Sequence, residues 1–151
     1  MPQGTHHIPE GLTAVIAQLV VPDAHALIEF ARKTFDASES HFMPGPDGKG
    51  VAHGMFRIGD AAIFCSDLPG FAEPTKANLF VYVPDVDAVV AAAEKAGATV
   101  RTPVADMFWG DRWGMIEDPW GNIWQVATHK EDVTPEQMQK RMAEQMQPAG
   151  H

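Results

Sequence analysis

The sequence has a single cysteine, Cys65, so it cannot form an internal disulfide, and a reducing cytoplasm is the expected compartment. It has no apolar run long enough to span a membrane. Its first residues lack the basic and apolar segments of a secretory signal. It has no basic stripe and its net charge is −9, so neither nucleic acid nor a membrane surface is an expected partner. These absences favour a cytoplasmic protein. The acidic charge suits a cationic or neutral small molecule better than a nucleic acid, but the favoured explanation of the charge is that it keeps the protein soluble.

The chain repeats itself with a period of sixty-two residues. Val21-Pro22-Asp23 recurs as Val83-Pro84-Asp85, and Gly59-Asp60 corresponds to Gly121-Asn122. Each Val-Pro-Asp follows an apolar, β-rich run and precedes an amphipathic helical pattern. The aspartates are placed as helix N-caps, and the glycine pairs indicate hairpin turns. Each half therefore reads strand–helix–strand–strand–strand, which makes the fold class α+β with tandem βαβββ modules.

The pattern changes after Asp132. Thr134, Pro135 and Gln137 have the spacing of a capped helix start. Methionines follow at every fourth position, at 138, 142 and 146, and predict a C-terminal helix with an apolar stripe. We expect one domain over residues 1–132, made of modules 12–67 and 78–129, followed by a helix and tail over 133–151.

The tandem modules resemble the vicinal-oxygen-chelate superfamily of glyoxalases, extradiol dioxygenases and bleomycin-resistance proteins. WGDRWG at 109–114, DPWGNIW at 118–124 and ATHKED at 127–132 are similar to the glyoxalase-like branch typified by the small protein of the phosphonate operon. The resemblance covers residues 10 to 132. It implies that each half forms a cup of mixed β-sheet and that the two cups face one another around a ligand.

Metal-dependent members of the superfamily carry His or Glu at four strand positions. Register and the repeat place Ile16, Ile63, Asn78 and Gln125 there. Isoleucine cannot bind a metal, and amide carbonyls are weak ligands. The sequence therefore predicts that the usual metal site is absent and that no cofactor is bound. A one-residue error in register would bring in Ala17, Leu79, Phe64 or Val126, none of which is a ligand.

Strand alternation gives the expected lining of the cup. The residues on the same face as the four positions are Gln18, Val20, Phe80, Tyr82, Ala61, Cys65, Ile123 and Ala127. Two interpretations of Asn78 and Gln125 stay open: the amides pair with each other, or they recognise a ligand. Trp109 and Trp113 are candidates for the rim, whereas Trp124 is expected beneath a helix.

Two charged or titratable residues near this segment also have alternative roles. Arg112 either contacts a ligand carboxylate or holds its loop through Asp111, Glu117 or Asp118, and the structural role is favoured. His53 is expected to point away from the cup, as a structural histidine.

The candidate ligand-binding residues are therefore Gln18, Ile63, Asn78, Phe80, Tyr82, Trp109, Arg112, Trp113 and Gln125. The favoured function is binding or sequestration of a hydrophobic or aromatic small molecule without a metal. The alternative is a metal-dependent lyase, isomerase or dioxygenase with a non-standard site, so catalysis is left open, and so is a catalytically silent dimeric scaffold. Members of the superfamily are commonly twofold dimers, and a homodimer is expected here.

Overall fold

A computed structural model of the chain describes residues 6–70 and 73–145. The chain divides into two units, Met1–Ala77 and Asn78–His151. The α+β class is confirmed: each unit holds one four-stranded mixed sheet and one helix of the repeat, and a third helix follows in the second unit. In the part of the chain that the structure describes, no helix is long and apolar enough to cross a membrane.

The first unit runs β1 (Ala17–Val20), α1 (Ala24–Phe35), β2 (Ser38–Pro44), β3 (Val51–Ile58) and β4 (Ala61–Ser66). The strand order is β1-β4-β3-β2, with β1 and β4 parallel and the other pairs antiparallel. Asp23 caps α1 as predicted, because its side chain accepts a hydrogen bond from the Ala26 amide. The apolar stripe of α1 is buried with the apolar residues of the strands, and these residues include Leu19, Leu27, Phe30 and Phe56.

The second unit runs β5 (Asn78–Tyr82), α2 (Val86–Lys95), β6 (Thr99–Asp106), β7 (Asp111–Glu117) and β8 (Ile123–His129). Its strand order, β5-β8-β7-β6, has the same topology. Asp85 caps α2 through the Ala88 amide, as predicted. The core of the unit is formed by α2 and one face of the sheet, with Trp124, Ile116 and Val126 fully buried there. This confirms the position expected for Trp124.

The last helix, α3 (Pro135–Gln145), begins with the predicted capping box. Thr134 Oγ1 accepts from the Gln137 amide, and Gln137 Oε1 accepts from the Thr134 amide. No residue of α3 is buried among those described, and Met142 is exposed. The third methionine of the predicted stripe, at position 146, lies outside the described residues.

The two hairpins differ in length, and this corrects the predicted register of the first unit. Ile58 pairs with Ala61 across two residues, whereas Glu117 pairs with Ile123 across five, so the two connections differ by an odd number of residues. The sixty-two-residue period therefore does not continue into the last strands. Ile63 was predicted to line the cup, but it shares the buried face with Phe56 and is 6% exposed. A one-residue shift moves a strand residue to the opposite face of its sheet.

The residues beside Ile63 change faces with it. Cys65 is fully buried with Ile63, and burial, followed by the nearby charge of Asp67, raises the pKa of its thiol to about 12. Phe64 and His53 instead lie on the face away from α1, where their rings are 4.6 Å apart. His53 was expected to point away from the cup, but it lies on the same face of the sheet as Gln18, which was predicted to line the cup. The expectation for His53 was therefore wrong. On that face Phe64 takes the place that was assigned to Ile63, paired with Gln18.

Candidate functional site

The face of the second sheet that lies away from α2 carries most of the predicted site residues. Its register pairs Phe80 with Gln125, and Met115 with the same glutamine. Paired residues lie on one side of a sheet, and alternate positions along each strand join them. This surface is called the aromatic face below, and its members are Asn78, Phe80, Tyr82, Trp109, Asp111, Trp113, Gln125 and His129.

The aromatic face is exposed although it is rich in large rings. Phe80 is 45% exposed and Tyr82 is 60% exposed, and their ring centroids are 5.2 Å apart. Trp109 and Trp113 form an edge-to-face pair at 5.5 Å, in a geometry that favours aromatic attraction. Side chains of this kind are usually buried in a monomer, so a cluster of exposed aromatic rings is typical of a binding surface.

Asp111 organises one end of this face. Its side chain is almost completely buried and accepts hydrogen bonds from Tyr82 Oη, Trp109 Nε1 and His129 Nδ1, each at 2.8 Å. The second ring nitrogen of His129 is 2.7 Å from an oxygen of Asp132. A buried carboxylate is costly unless it is hydrogen-bonded. Asp111 is therefore stabilised by the aromatic groups whose positions it fixes.

Backbone hydrogen bonds next to Asp111 join two segments of the chain at the same end of the aromatic face. Gly110 O accepts hydrogen bonds from the amides of Lys130 and Glu131, which joins the loop before β7 to the segment after β8. Gly110 has a φ of +101°, and a Cβ there would lie 2.3 Å from Glu131 O. Only glycine fits this position without strain. The loop that carries Trp109 is therefore held against the sheet.

The hydrogen bonds around Asp111 shift three pKa values. Burial raises the pKa of the Asp111 carboxyl, but the bonds from His129, Tyr82 and Trp109 outweigh burial, so this pKa lies below its ordinary value. The bond to Asp111, followed by burial, raises the pKa of the Tyr82 phenol. The bonds to Asp132 and then to Asp111 raise the pKa of the His129 imidazole. These shifts favour an aspartate, a neutral phenol and an imidazolium.

This arrangement limits the chemistry that His129 can perform. Both ring nitrogens of His129 face carboxylates, so the imidazolium donates twice and has no free nitrogen to accept a proton. The two carboxylates also lie at opposite ends of the ring and do not converge on one point. Over residues 6–70 and 73–145, no group of three His, Cys, Asp or Glu side chains could hold a metal ion. The cluster is suited to positioning the aromatic residues.

Three side chains form a second network at the other end of the face. Trp113 Nε1 donates to Gln125 Oε1 at 3.2 Å, and Gln125 Nε2 donates to Asn78 Oδ1 at 3.0 Å. The pairing of the two amides, one of the alternatives left open by the sequence, is present. It does not exclude ligand recognition, because Asn78 lies at the exposed end of the chain of bonds.

Arg112 lies on the opposite face of the same sheet. Its guanidinium donates to Asp87, in the first turn of α2, at 2.8 and 3.0 Å, and to Asp106 at 3.2 Å. The Arg112 bond lowers the pKa of the Asp87 carboxyl. The structural role favoured by the sequence is thus present with other partners than those expected. Arg112 therefore does not lie on the aromatic face with Trp113, because adjacent strand residues point to opposite sides.

Of the nine predicted site residues, six lie together on the aromatic face: Asn78, Phe80, Tyr82, Trp109, Trp113 and Gln125. Gln18 is exposed on the sheet of the first unit, and Ile63 is buried in that unit. The sequence reasoning missed Asp111 and His129. Counting outward from the second hairpin would have found them, because Asp111 pairs with His129 at the far end of the same ladder.

Comparison with known proteins identifies relatives of the whole repeat. An uncharacterised protein of Mycobacterium bovis is 36% identical over 143 residues, which cover 87% of this chain and 93% of that protein. The fold is shared with the crystal structure of TioX from a Micromonospora species, with a TM-score of 0.61, 19% identity and coverage of 81% of this chain and 100% of TioX.

A second solved structure with this fold is TnmS3, an antibiotic-binding protein from a Streptomyces species. The TM-score is 0.60 at 22% identity, and the match covers 78% of this chain and 99% of TnmS3. The model of one family matches residues 12–126, and the chain therefore belongs to the Glyoxalase/Bleomycin resistance protein/Dioxygenase superfamily.

Proposed function

We propose that the protein binds a planar, largely apolar small molecule on the aromatic face of its second sheet. The observation that carries the proposal is the exposure of Phe80 and Tyr82, at 45% and 60%, beside the Trp109–Trp113 pair. A flat ligand that covers these rings removes apolar area from water, which contributes about 25 cal/mol per Å² before association costs are subtracted. Stacking on the rings adds about 0.5–1.5 kcal/mol.

The comparisons support this proposal. TnmS3, which shares the fold, is described as an antibiotic-binding protein, and the family itself includes bleomycin-resistance proteins. Binding or sequestration of such a molecule needs no metal, and the residues at the expected metal positions of the two sheets are Ile16, Asn78, Gln125 and, after the correction of register, Phe64. The metal-dependent alternative requires a non-standard site, and no observation on the described residues favours it.

The proposal extends to assembly and location. We propose a homodimer, with the methionine side of α3 contributing to its interface, because Met142 is 41% exposed and lies one turn after Met138 on a largely polar helix. A cytoplasmic location and membership of the branch typified by the phosphonate-operon protein are part of the same proposal. So is the division into a domain over 1–132, with modules 12–67 and 78–129, and a helix and tail over 133–151.

The test is equilibrium dialysis of the purified protein with fluorene, a flat three-ring hydrocarbon. Wild-type protein should bind it saturably. Phe80→Ala should weaken binding by about 1–3 kcal/mol, in the range of a residue central to an interface. Phe42→Ala is the matched control, because Phe42 is similarly exposed, at 49%, on the first sheet. Equal weakening by both variants, or no saturable binding to the wild type, would refute the proposed site.

Elemental analysis of the same preparation tests the metal-free part of the proposal. The expected result is no stoichiometric zinc, nickel, manganese or iron. About one metal ion per chain that survives mild chelation would favour the alternative function.

A further inference from the structure

The network from Trp113 through Gln125 to Asn78 has a fixed direction. An indole N–H can only donate a hydrogen bond. Gln125 therefore turns its oxygen to Trp113 and its NH₂ group to Asn78, at 3.2 and 3.0 Å. Asn78 must in turn present its oxygen to Gln125. The indole thus determines how both amides are oriented.

The fixed direction leaves a donor at the exposed end of the network. The Asn78 side chain uses Oδ1 for Gln125, and within residues 6–70 and 73–145 its Nδ2 makes no hydrogen bond. Asn78 is exposed and shares its face with Phe80, two residues further along β5. An N–H donor therefore lies at the edge of the exposed aromatic rings.

The opposite orientation is unfavourable. If Asn78 turned its oxygen outward, Gln125 would have to turn its NH₂ group towards Trp113, and two donors would face each other at the 3.2 Å separation seen here. A ligand that covered Asn78 without offering an acceptor would leave a donor buried and unpaired, which is costly. The network therefore favours ligands whose edge carries a hydrogen-bond acceptor over ligands whose edge carries only a donor.

We propose that Asn78 is a specificity-determining residue that recognises an acceptor, such as a ring carbonyl, on the edge of a planar aromatic ligand, and that Trp113 is the positioning residue that sets its polarity. The inference rests on the proposed function and narrows its ligand class. The preferred ligands are flat aromatic ketones, quinones or lactams with the carbonyl oxygen at an edge. Flat molecules with only an N–H donor at that edge are disfavoured.

Three neutral molecules of nearly equal size and shape test the proposal: fluorenone has a carbonyl, fluorene has a methylene and carbazole has an N–H at the same position. Equilibrium dialysis against the full chain gives the three dissociation constants. Wild-type protein should bind fluorenone at least about tenfold more tightly than carbazole, with fluorene between them. Equal affinity for the three molecules would overturn the inference and leave the proposed function intact. Failure of all three to bind would overturn both.

Two variants and one control distinguish an effect of the orientation of the amides from an effect of lost aromatic packing. In Trp113→Phe the amides are released from the indole, so the preference for fluorenone should fall to about twofold or less. Phe42→Ala, on the first sheet, keeps the Asn78 network and should retain the preference. In Asn78→Asp the exposed group becomes an acceptor, and carbazole should become the preferred ligand. Asn78 is a surface residue, so this variant gives an answer even if Trp113→Phe does not fold. A preference unchanged in both Trp113→Phe and Asn78→Asp would contradict the assignment.

Discussion

Replacing Asp111 by asparagine tests whether this carboxylate holds the aromatic face together. The oxygen that accepts from Tyr82 and Trp109 can be replaced by the amide oxygen, so both bonds become neutral. A hydrogen bond to a charged group contributes about 1.5–3 kcal/mol and a neutral one about 0.5–1.5 kcal/mol. Two weakened bonds, together with the lost pairing to His129, predict a loss of about 2–4 kcal/mol in the free energy of unfolding.

The loss should depend on pH. The pKa of His129 is raised above its ordinary value of 6.5 in the folded protein, so its contribution is complete below about pH 6.5 and is lost as the pH rises through the folded pKa. The pKa of Asp111 is lowered from 3.8, so its contribution is present above about pH 3.8 and is lost as the pH falls through the folded pKa. Asp111→Asn should therefore be most destabilising between about pH 4 and 6.5.

Urea unfolding at pH 5.5 and pH 9, followed by circular dichroism, measures the effect. The destabilisation by Asp111→Asn should be smaller at pH 9, because the charged bond between His129 and Asp111 weakens in the wild type as the pH rises through the folded pKa of His129. Asp106→Asn is the control on the neighbouring strand. Its carboxylate is 80% exposed, so the change should cost less than about 1 kcal/mol. An equal loss at both pH values, or a loss no larger than in the control, would refute the role given to Asp111.

Three further predictions concern the fold and assembly. Trp124→Ala should lower stability by about 3–5 kcal/mol in thermal or urea unfolding without changing ligand preference, because this fully buried ring packs in the core; a changed preference would contradict its placement. Gly110→Ala should destabilise by about 1–3 kcal/mol or more, because of the positive φ and the contact with Glu131 O, whereas the exposed Gly48→Ala, with free space around it, serves as a control for backbone strain alone. Light scattering at micromolar concentration should give a dimer of the 16.4 kDa chain, and deletion of residues 133–151 should shift it towards monomer; a monomeric wild type would overturn the assembly proposal.

The repeat made most of the fold predictable from the sequence. Asp23 and Asp85 begin their helices as predicted because capping and helical periodicity are local signals. The placement of Ile63 failed because the period was carried through two hairpins of different length. Sequence spacing identified the strand that holds Ile63 but not the face to which its side chain points, because a shift of one residue in register reverses that face.

The site was predictable where it follows strand alternation and not where it depends on distant partners. Asn78, Phe80 and Tyr82 share a face because they alternate along β5. The partners of Arg112 were missed because Asp87 lies twenty-five residues away on a helix. The role of His129 was missed because its two carboxylates come from different segments and meet only in the folded unit.

The indole N–H signals of the four tryptophans give the most direct test of ligand binding at the aromatic face. A ¹H–¹⁵N NMR titration with fluorenone reports on each indole separately, once the signals are assigned by substitution. Trp109 and Trp113 should shift saturably, because both belong to the face, and Trp124, which is fully buried beneath α2, should remain unchanged. Saturable binding that shifts Trp124 while leaving Trp109 and Trp113 unchanged would contradict the account.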